Sequence, residues 1–384
     1  MILYVLNKSY ETVDVIDTYV ELIWADRFRE CGDFELYLPV NYCVRGTLAK
    51  GNYLHLPESD RYMIIEDSTT MTQPAGKGDP SFKLIGRSLE SILDRRIIWD
   101  QIDYSGSVHS LIKRILTENV IDPRMTNRKI SNFTFTDSSG GRMDEYILAQ
   151  YHGENVKDVI ESLCSEYNLG YRVRPQGSGG FNFTLYSGED RSYAQETNPW
   201  VVFGPKYENI ADTTLAETNS KYRNTAMMFN EYQHTYQASS TDPDTGETTT
   251  ESVTELVRSE VEVFNKLGSV SDLDRKEIFI NSNISHNDAN GNYIDPSLYR
   301  YLMSAEGKKE LEEYARTSAF IGSCETYRQF VLGRDFNLGD IVSIENEYGQ
   351  KGRCRVIEVI YSSSKNGESI LPTFENADDT KITT

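Results

Sequence analysis

The stretch Gly32-Asp33-Phe34-Glu35-Leu36-Tyr37-Leu38-Pro39 alternates between polar and apolar side chains. Successive side chains of an extended strand point to opposite faces, so Phe34, Leu36 and Leu38 share one face. A strand with one apolar face has to bury that face against further strands or a helix. The stretch therefore predicts that the chain begins with a β-sheet covering a hydrophobic core.

Further short strands surround this one in residues 1–98. Turn-forming residues stand between them at Gly51-Asn52 and in the stretch Thr72–Pro80. Strands at such short spacing predict a small barrel or sandwich. The predicted strands are Tyr53–Leu56, Tyr62–Glu66 and Phe82–Ile85, and Ser88 is predicted to cap a short helix that carries Leu89, Ile92 and Leu93.

Residues 99–200 are predicted to form an α+β insertion domain, because helical periodicity replaces the strand pattern there. Ser107 is a predicted helix N-cap, and a second helix is predicted to begin near Asn155 and to stop at Gly170. The apolar residues at helical spacing are Leu111, Ile112, Ile115 and Leu116, then Val159, Ile160 and Leu163, and a hairpin follows with strands Tyr171–Arg174 and Phe181–Tyr186.

The remaining chain is predicted to divide between a second β domain, residues 201–238 and 323–384, and an inserted loop and helix domain, residues 239–322. Residues 239–252 hold no large apolar side chain, which predicts a solvated loop tip or a disordered segment. Asn366-Gly367 is typical of a two-residue hairpin turn. The predicted strands are Val201–Phe203, Thr225–Phe229, Tyr327–Leu332, Ile341–Glu345, Arg353–Tyr361 and Ser369–Phe374, and a helix is predicted from Ser304 to Ile321 with Leu311, Tyr314, Ala315 and Ser318 on one side.

A faint internal repeat links the two ends of the chain. Gly51-Asn52-Tyr53-Leu54-His55-Leu56 precedes Arg61-Tyr62-Met63-Ile64-Ile65-Glu66, as Gly339-Asp340-Ile341-Val342-Ser343-Ile344 precedes Arg353-Cys354-Arg355-Val356-Ile357-Glu358. One interpretation is that any two β-hairpins share the same turn chemistry. The other is a duplicated module, which would let three subunits present six similar units to a six-fold partner.

The formal net charge is −20, from 59 acidic and 39 basic residues. Nucleic acids and anionic membranes attract basic surfaces, so this balance argues against electrostatic binding to either. It allows a negative wall past which DNA moves without adhering, although solubility is the more ordinary explanation. The main local basic pair, Arg95-Arg96, is interpreted as a solvated helix end rather than a ligand clamp.

The sequence contains few features that indicate the cellular compartment of the protein. The apolar start Met1–Leu6 lacks a basic region and a cleavage site, which predicts no signal peptide. No apolar run approaches the roughly 18 residues that span a bilayer, so we expect a soluble protein, made in a host cytoplasm, without stable membrane insertion. The cysteines have neither zinc nor redox spacing and indicate a reduced compartment; they are Cys31, Cys43, Cys164, Cys324 and Cys354.

No motif identifies catalytic, cofactor-binding or metal-binding residues, and the sequence predicts none. The stretch Asn287–Asp295 resembles a calcium loop only loosely, because His286 and Ser297 would occupy end positions that need carboxylates. It is predicted to be a polar turn. Gly177–Gly180 lies between two strands, so it is predicted to be a hairpin loop and not a phosphate cradle. The histidines show no metal-binding spacing; they are His55, His109, His152, His234 and His286.

Short segments along nearly the whole chain resemble a family of siphophage tail-tip and baseplate hub proteins, which includes the bases of tail spikes and of tail endopeptidases. Each segment is short, and the specificity comes from their order. The matching segments are Gly32–Pro39, Met63–Glu66, Gly86–Leu89, Asp94–Ile98, Glu208–Ile210, Tyr222–Asn224, Asp335–Val342, Arg355–Glu358 and Pro372–Phe374.

The resemblance implies an α+β, β-rich fold with two small β-barrel domains of the tail-tube type and inserted α+β domains. It implies a homotrimer whose two barrels per subunit build a pseudo-six-fold ring under hexameric tail proteins. Such a ring would join the tail tube or distal tail protein to the tip, receptor-binding or spike proteins, and DNA would pass through its channel. The expected location is the virion tail tip or baseplate.

The resemblance also implies a structural protein without cofactor. Many relatives carry a C-terminal peptidase or lysin domain, and this sequence ends soon after Pro372–Phe374, so lytic activity is expected on another chain. Two alternatives stay open. One is a cell-wall hydrolase that uses carboxylates of the α+β insertion, although acidic pairs such as Asp272/Asp274 or Glu312/Glu313 carry no specific signal. The other is a receptor-binding adhesin that holds polysaccharide on tyrosines.

Overall fold

The computed structural model describes residues 1–71, 80–218, 220–241, 243–265, 268–314, 317–324, 329–349 and 351–377. The α-helices of this part of the chain are α1 (Val108–Leu116), α2 (Val156–Glu166) and α3 (Pro296–Glu313). Its strands, β1 to β21 in chain order, are Leu3–Leu6, Thr12–Ile16, Glu21–Arg27, Asp33–Pro39, Tyr53–His55, Tyr62–Met71, Ser81–Ser88, Ile102–Ser107, Phe133–Thr136, Tyr146–Tyr151, Gly170–Gln176, Gly180–Tyr186, Val202–Phe203, Ile210–Thr218, Thr225–Thr241, Thr248–Phe264, Glu277–Asn281, Thr317–Cys324, Ile341–Glu345, Lys351–Ser364 and Gly367–Asn376.

Strands from both ends of the chain form one sheet of 11 strands. Its order is β13-β19-β20-β3-β4-β7-β6-β5-β1-β2, and β21 pairs with β20 off this path. Strand β4 contains the predicted alternation, and its apolar residues Phe34, Leu36 and Leu38 are at most 1% exposed. They lie in one core with Trp24 and Phe374, so residues from the two chain ends bury each other.

The prediction of a β-rich fold is confirmed, but the described residues contain no closed barrel. The two chain ends were expected to close into separate barrels. They are instead joined edge to edge, because β20 pairs with β3 in antiparallel register from Glu358↔Arg27 to Ser364↔Glu21. The backbone N–H and C=O groups of a strand can pair with any neighbouring strand of suitable length. The pairing of β3 with β20 therefore cannot be predicted from the local sequence.

The two repeat segments form the same local structure. Each supplies the first two strands of an antiparallel meander of three strands, β5-β6-β7 near the start and β19-β20-β21 near the end. Gly51 and Gly339 stand two residues before the first strand of each meander, with φ angles of +85° and +96°. Such angles are open to glycine and strained for other residues, so each glycine fixes the entry into its meander.

Backbone hydrogen bonds at the start of the two meanders also correspond. The N–H of Gly51 donates to the carbonyl of Ile65, and the N–H of Gly339 donates to that of Val356, both over 2.8 Å. In return, the N–H of Ile65 donates to the carbonyl oxygen of Asn52, and the N–H of Val356 donates to that of Asp340, both over 2.9 Å. Directly after Ile65 and Val356, a bulge interrupts the pairing with the third strand. These matched details favour duplication over chance likeness of hairpins.

Between the two halves of the large sheet, residues 102–186 form two smaller sheets with α1 and α2. Strands β8 and β10 pair antiparallel, and β11-β12-β9 form a three-stranded sheet in which β9 runs parallel to β12. The predicted N-cap Ser107 is confirmed, because its hydroxyl accepts the N–H of Ser110 over 3.3 Å. The helix predicted to begin near Asn155 does so, and Asn155 caps it by accepting the N–H of Lys157 over 2.9 Å. The hairpin around Gly177 is also confirmed.

A third region follows, in which β14 pairs with β18 and a second sheet has the order β16-β15-β17. Helix α3 packs on one face of that second sheet, where Met228, Val263 and Met303 are buried. The same helix contacts β10 of the preceding region. It therefore lies between the sheet β16-β15-β17 and the strands β8 and β10.

Several predicted elements differ from the structure. The long helix begins at Pro296, eight residues before the predicted start, because Asp295 caps it and accepts the N–H of Ser297 over 2.8 Å. It ends at Glu313, and Ser318 belongs to β18 rather than to the helix; Ala315 lies outside the described residues. Ser88 precedes a 3-10 helix, Leu89–Arg95, without capping it, since its hydroxyl accepts the N–H of Gly32 instead.

The predicted loop over residues 239–252 is exposed, but its ends are paired strand, because β15 continues to Thr241 and β16 begins at Thr248. The predicted strand Tyr327–Leu332 is not formed by its described part, where Leu332 makes only an isolated bridge to Phe336. Residues 327–328 and the predicted turn at residues 72–79 lie outside the described residues. The final hairpin at Asn366-Gly367 is confirmed.

The predicted domain boundaries at 98/99 and 200/201 fall between strands of the large sheet and strands of the smaller ones. The boundary at 238/239 falls inside β15, which is continuous from Thr225 to Thr241. The division into four domains remains a prediction of the sequence.

A buried ionic contact joins the large sheet to the α+β insertion. Arg61 is 2% exposed, and its guanidinium forms an ion pair with Glu90, which is fully buried. The same guanidinium donates to the carbonyl oxygens of Arg27, over 2.7 Å, and of Tyr171, over 3.0 Å. Glu90 also accepts the N–H of Val173 over 2.8 Å. One cation therefore ties β3 and β11 to the end of β7.

Replacing Arg61 with methionine should lower the free energy of unfolding by roughly 3–5 kcal/mol, because Glu90 would stay buried without a cation. The measurement is calorimetric and urea-induced unfolding of the purified chain. The double substitution R61M/E90Q removes the uncompensated charge of Glu90 and keeps an acceptor for the N–H of Val173. It should therefore recover most of the lost free energy of unfolding.

The matched control R174M removes an exposed ion pair with Asp60 and should lower the free energy of unfolding by less than about 1 kcal/mol. A loss as small for R61M as for R174M would contradict this account.

Candidate interaction surfaces

The longest hairpin of the chain projects from the third region. Its strands β15 and β16 have 17 residues each, and their pairing is continuous from Thr225↔Phe264 to Thr241↔Thr248. At about 3.3 Å per residue, the hairpin is roughly 55 Å long. From Thr235 to the tip, most side chains on both strands are exposed. We call this hairpin the arm.

An aromatic cluster fixes the arm to the body of the chain. The ring of His286 packs against Tyr232 of the arm and lies perpendicular to Tyr299 of α3, with ring centres 4.0 Å apart. Tyr232 and Tyr293 join their hydroxyls in a hydrogen bond of 2.5 Å, and His234 lies against Tyr293 with centres 4.3 Å apart. The contact between His234 and His286 could not be predicted from the sequence, because the arm brings together residues about 50 positions apart in the chain.

His286 is held in its neutral form. Burial, and to a smaller extent the neighbouring His234, lower its pKa from 6.5 to about 4. Both ring nitrogens are buried without a hydrogen-bond partner in the described residues. A proton on this ring would add a charge that nothing nearby compensates, so protonation should loosen the contact between the arm and α3.

The face of the sheet β16-β15-β17 opposite α3 combines acidic and apolar residues. The register places Met227 between Glu262 and Phe279, and Phe229 beside Glu260. Phe279 is 68% exposed, an unusual state for a phenylalanine in a strand. We call this surface the acidic face; it holds Glu231, Glu260, Glu262 and Glu277, with Arg258, Arg275, Met227, Phe229, Leu256 and Phe279.

Ion pairs neutralise part of the acidic face. Arg258 binds Glu231 over 2.6 Å, while Arg275 binds both Glu262 and Glu277. Three of the four carboxylates therefore share two arginines. Glu260 has no cation partner among the described residues, and this leaves a net negative surface with apolar rings within it.

A surface of opposite charge lies where the 3-10 helix Leu89–Arg95 meets the α+β insertion, and it includes the arginine pair noted in the sequence. Arg96 and Arg128 donate to backbone carbonyls, with Arg96 Nε 2.6 Å from the oxygen of Arg128. Burial lowers the pKa of Arg96, and so do Arg128 and Arg95 beside it. These arginines line a concavity of about 290 Å³. We call this surface the basic patch; it consists of Arg95, Arg96 and Arg128 with the exposed Ile97, Trp99 and Met125.

Two carboxyl groups between α2 and α3 have the raised pKa that a hydrolase would require. Burial raises the pKa of Glu166 and that of Glu306, and the Lys309 ammonium partly offsets both shifts. Glu306 accepts the hydroxyl of Ser282. These groups lie where the α+β insertion meets α3, and their partners are residues of the packed interface. Both carboxyl groups therefore make their contacts within this packed interface.

The remaining residues singled out in the sequence lie apart from one another. His55 stacks on Tyr62, with ring centres 4.3 Å apart, and His109 lies beside Phe135. The stretch after His286 forms a turn in which Asp288 accepts the N–H groups of Asn290 and Asn292 over 2.9 and 2.8 Å. The polar turn predicted there is confirmed.

Within the described residues, no three or more histidine, cysteine or acidic side chains gather as metal ligands would. No helix in that part of the chain is long and apolar enough to cross a membrane. The surfaces defined above are therefore the features that remain as candidates for function, and they suit contacts with proteins.

The fold is that of phage tail proteins. The chain resembles the 43 kDa tail protein of prophage MuSo2 from Shewanella oneidensis, with a TM-score of 0.54, 8% identity, and coverage of 99% of this chain and 100% of that one. It also resembles a tail protein from Neisseria meningitidis, with a TM-score of 0.52, 10% identity, and coverage of 98% and 97%. At such identities the likeness concerns the fold. No curated protein sequence matches the chain significantly.

The chain belongs to the Siphovirus ReqiPepy6 Gp37-like protein family, whose profile matches residues 2–374. The resemblance to a siphophage tail family seen in the sequence is thereby confirmed. Membership makes the protein a component of the phage tail.

Lowering the pH from 7 to 5 should increase hydrogen exchange at the base of the arm. The folded-state pKa of His286 lies below its ordinary value of 6.5, so the folded state binds fewer protons than the unfolded state. The stabilisation is complete above pH 6.5 and is lost as the pH falls toward 4. Exchange mass spectrometry, corrected for intrinsic rates, measures the effect around Tyr232.

The variant H286L keeps an uncharged apolar side chain and should abolish this pH dependence. The control H152L changes an exposed histidine and should leave it intact. Equal protection of the arm at both pH values in the unmodified protein would refute the role given to His286.

Proposed function

We propose that the protein is a structural hub of the tail tip or baseplate, a homotrimeric ring that joins the hexameric tail tube or distal tail protein to the host-facing tip. The observation that carries this proposal is the pair of matched meanders, β5-β6-β7 and β19-β20-β21, in one sheet. A ring of three subunits would present six such units.

Two modules per subunit resolve a mismatch between three-fold and six-fold symmetry. A six-fold ring repeats its contact surface every 60°, whereas a three-fold ring of single modules repeats every 120° and would leave half of the contacts unmade. Two similar modules in each subunit remove this mismatch. The pairing of β3 with β20 fixes the two modules relative to each other, so the spacing between them is set by backbone hydrogen bonds.

In this proposal the two modules correspond to the tube-type domains expected from the sequence, residues 1–98 and residues 201–238 with 323–384. The α+β insertion and the third region would lie at the periphery of the ring, around the two modules. The arm would extend toward spike or receptor-binding proteins, since it is long and exposed.

The channel of such a ring would carry DNA without binding it. The net charge of −20 supports this, because a negative wall repels phosphates and releases no counterions on contact. The proposal assigns no enzymatic step to this chain. The raised-pKa carboxyls Glu166 and Glu306 are used in packing, and lytic activity would belong to another tail protein.

Sedimentation and mass photometry of the purified chain should give three times its mass of 43.8 kDa, alone or with the distal tail protein of the same phage. Electron microscopy should show a ring with three-fold symmetry whose face toward the tube has six similar lobes. A hydrolase would instead clear host cell walls in a zymogram, and clearing that E306Q abolishes would favour that alternative. A monomer at all concentrations, with no ring in the presence of its tail partner, would refute the hub.

A further inference from the structure

A closed ring of identical subunits needs two different surfaces on each subunit. In a three-fold ring, the surface that one subunit offers to its neighbour differs from the surface that it receives. The two surfaces must complement each other in charge and must both exclude water at their centre. The basic patch and the acidic face have these properties.

Among the described residues, no carboxylate forms an ion pair with the arginines of the basic patch, although Asp94 lines the same concavity. Arg96 and Arg128 bind backbone carbonyls, and Arg95 has no carboxylate partner among the described residues. Asp94, the nearest carboxylate in sequence, binds Arg87 over 2.9 Å. In a chain with a net charge of −20, three adjacent unpaired cations are a surface that attracts other acidic copies of the same chain.

The apolar neighbours of these arginines indicate a protein as the occupant. Trp99 is 49% exposed, and Ile97 and Met125 are exposed to a lesser degree. Arginine, tryptophan and methionine are the residues enriched at the centres of protein interfaces.

The acidic face has the matching composition. Glu260 lies beside Phe229 without a cation partner among the described residues, and Phe279 is the most exposed aromatic ring of that face. An arginine brought to Glu260 would meet a carboxylate, and a tryptophan beside it would meet apolar rings. Both surfaces would thereby bury their exposed apolar groups.

The two surfaces cannot meet within one chain. The acidic face is the side of the sheet β16-β15-β17 away from α3, and α3 separates this sheet from β8 and β10 of the domain that carries the basic patch. The basic patch of one copy is therefore free to contact the acidic face of another, and repetition of this contact produces a ring or a filament.

We propose that the basic patch of each subunit binds the acidic face of the next subunit, with Arg95 beside Glu260 and Trp99 against Phe279. The occupant of the basic patch is thus a second copy of this chain. This inference rests on the homotrimer of the proposed function and adds the two surfaces that build it.

Charge reversal tests the contact. Arg95 and Glu260 are exposed and form no ion pair with any described residue, so R95E and E260R should fold normally. Each single substitution should raise the dissociation constant of the trimer at least about tenfold, because it places like charges together. The double variant R95E/E260R reverses both partners in every interface and should return the constant to within about threefold of the original.

The measurement is sedimentation equilibrium or mass photometry over a dilution series at low and at physiological salt. The variant W99S tests the apolar centre of the interface and should weaken the trimer without salt dependence. Matched controls are K221E and E196R, which reverse exposed charges outside both surfaces and should leave the trimer unchanged.

The outcomes separate this inference from the proposed function. A trimer that R95E, E260R and W99S leave intact would overturn the contact and keep the hub. Weakening by both single substitutions without recovery in the double variant would also overturn the pairing. If R95E leaves the trimer intact but abolishes binding to another tail protein or to duplex DNA, the basic patch belongs to that partner. An unmodified chain that never associates would overturn the hub and this contact together.

Discussion

The buried contact of Arg61 with Glu90 is the interaction on which the arrangement of this tail protein depends. Through the same guanidinium, β3 and β11 are held at fixed positions, because Arg61 donates to the carbonyls of Arg27 and Tyr171. Arg27 in turn binds Glu358 of β20 over 2.9 Å, at the start of the pairing between β3 and β20. Since a buried ion pair tolerates little displacement, the contact fixes geometry more than it adds stability.

In the proposed hub, the joining of the two meanders in one sheet sets the spacing between the two modules. Two similar modules that moved independently could not meet a ring of six sites at a set spacing, whereas modules in one hydrogen-bonded sheet can. The α+β insertion and the third region can then differ in structure, because each of them is attached to the large sheet. The arm, the acidic face and the basic patch all lie on these regions, where exposed charge and apolar rings do not disturb the central sheet.

Local chemistry made much of the fold predictable from sequence. Ser107 and Asn155 cap their helices through their own hydroxyl and amide groups, so their signals lie within three residues of the elements they start. The alternation at Phe34–Leu38 likewise marks β4, and Asn366-Gly367 marks the last hairpin. The helix α3 was misplaced because its cap, Asp295, stands in a polar stretch that gave no apolar periodicity at its start.

The sequence by itself determined the β-rich class, the family likeness, the helix caps and the repeated turn with glycine. These depend on side chains close together in the chain. Only the tertiary structure decided that both ends share one sheet and that Arg61 meets Glu90. It also decided that no carboxylate of the described residues forms an ion pair with Arg95 or Arg96. The packing of the whole chain selects strand partners and ion-pair partners from residues that are distant in sequence. Backbone N–H and C=O groups are the same in nearly every residue, so the sequence alone does not indicate which strands will pair.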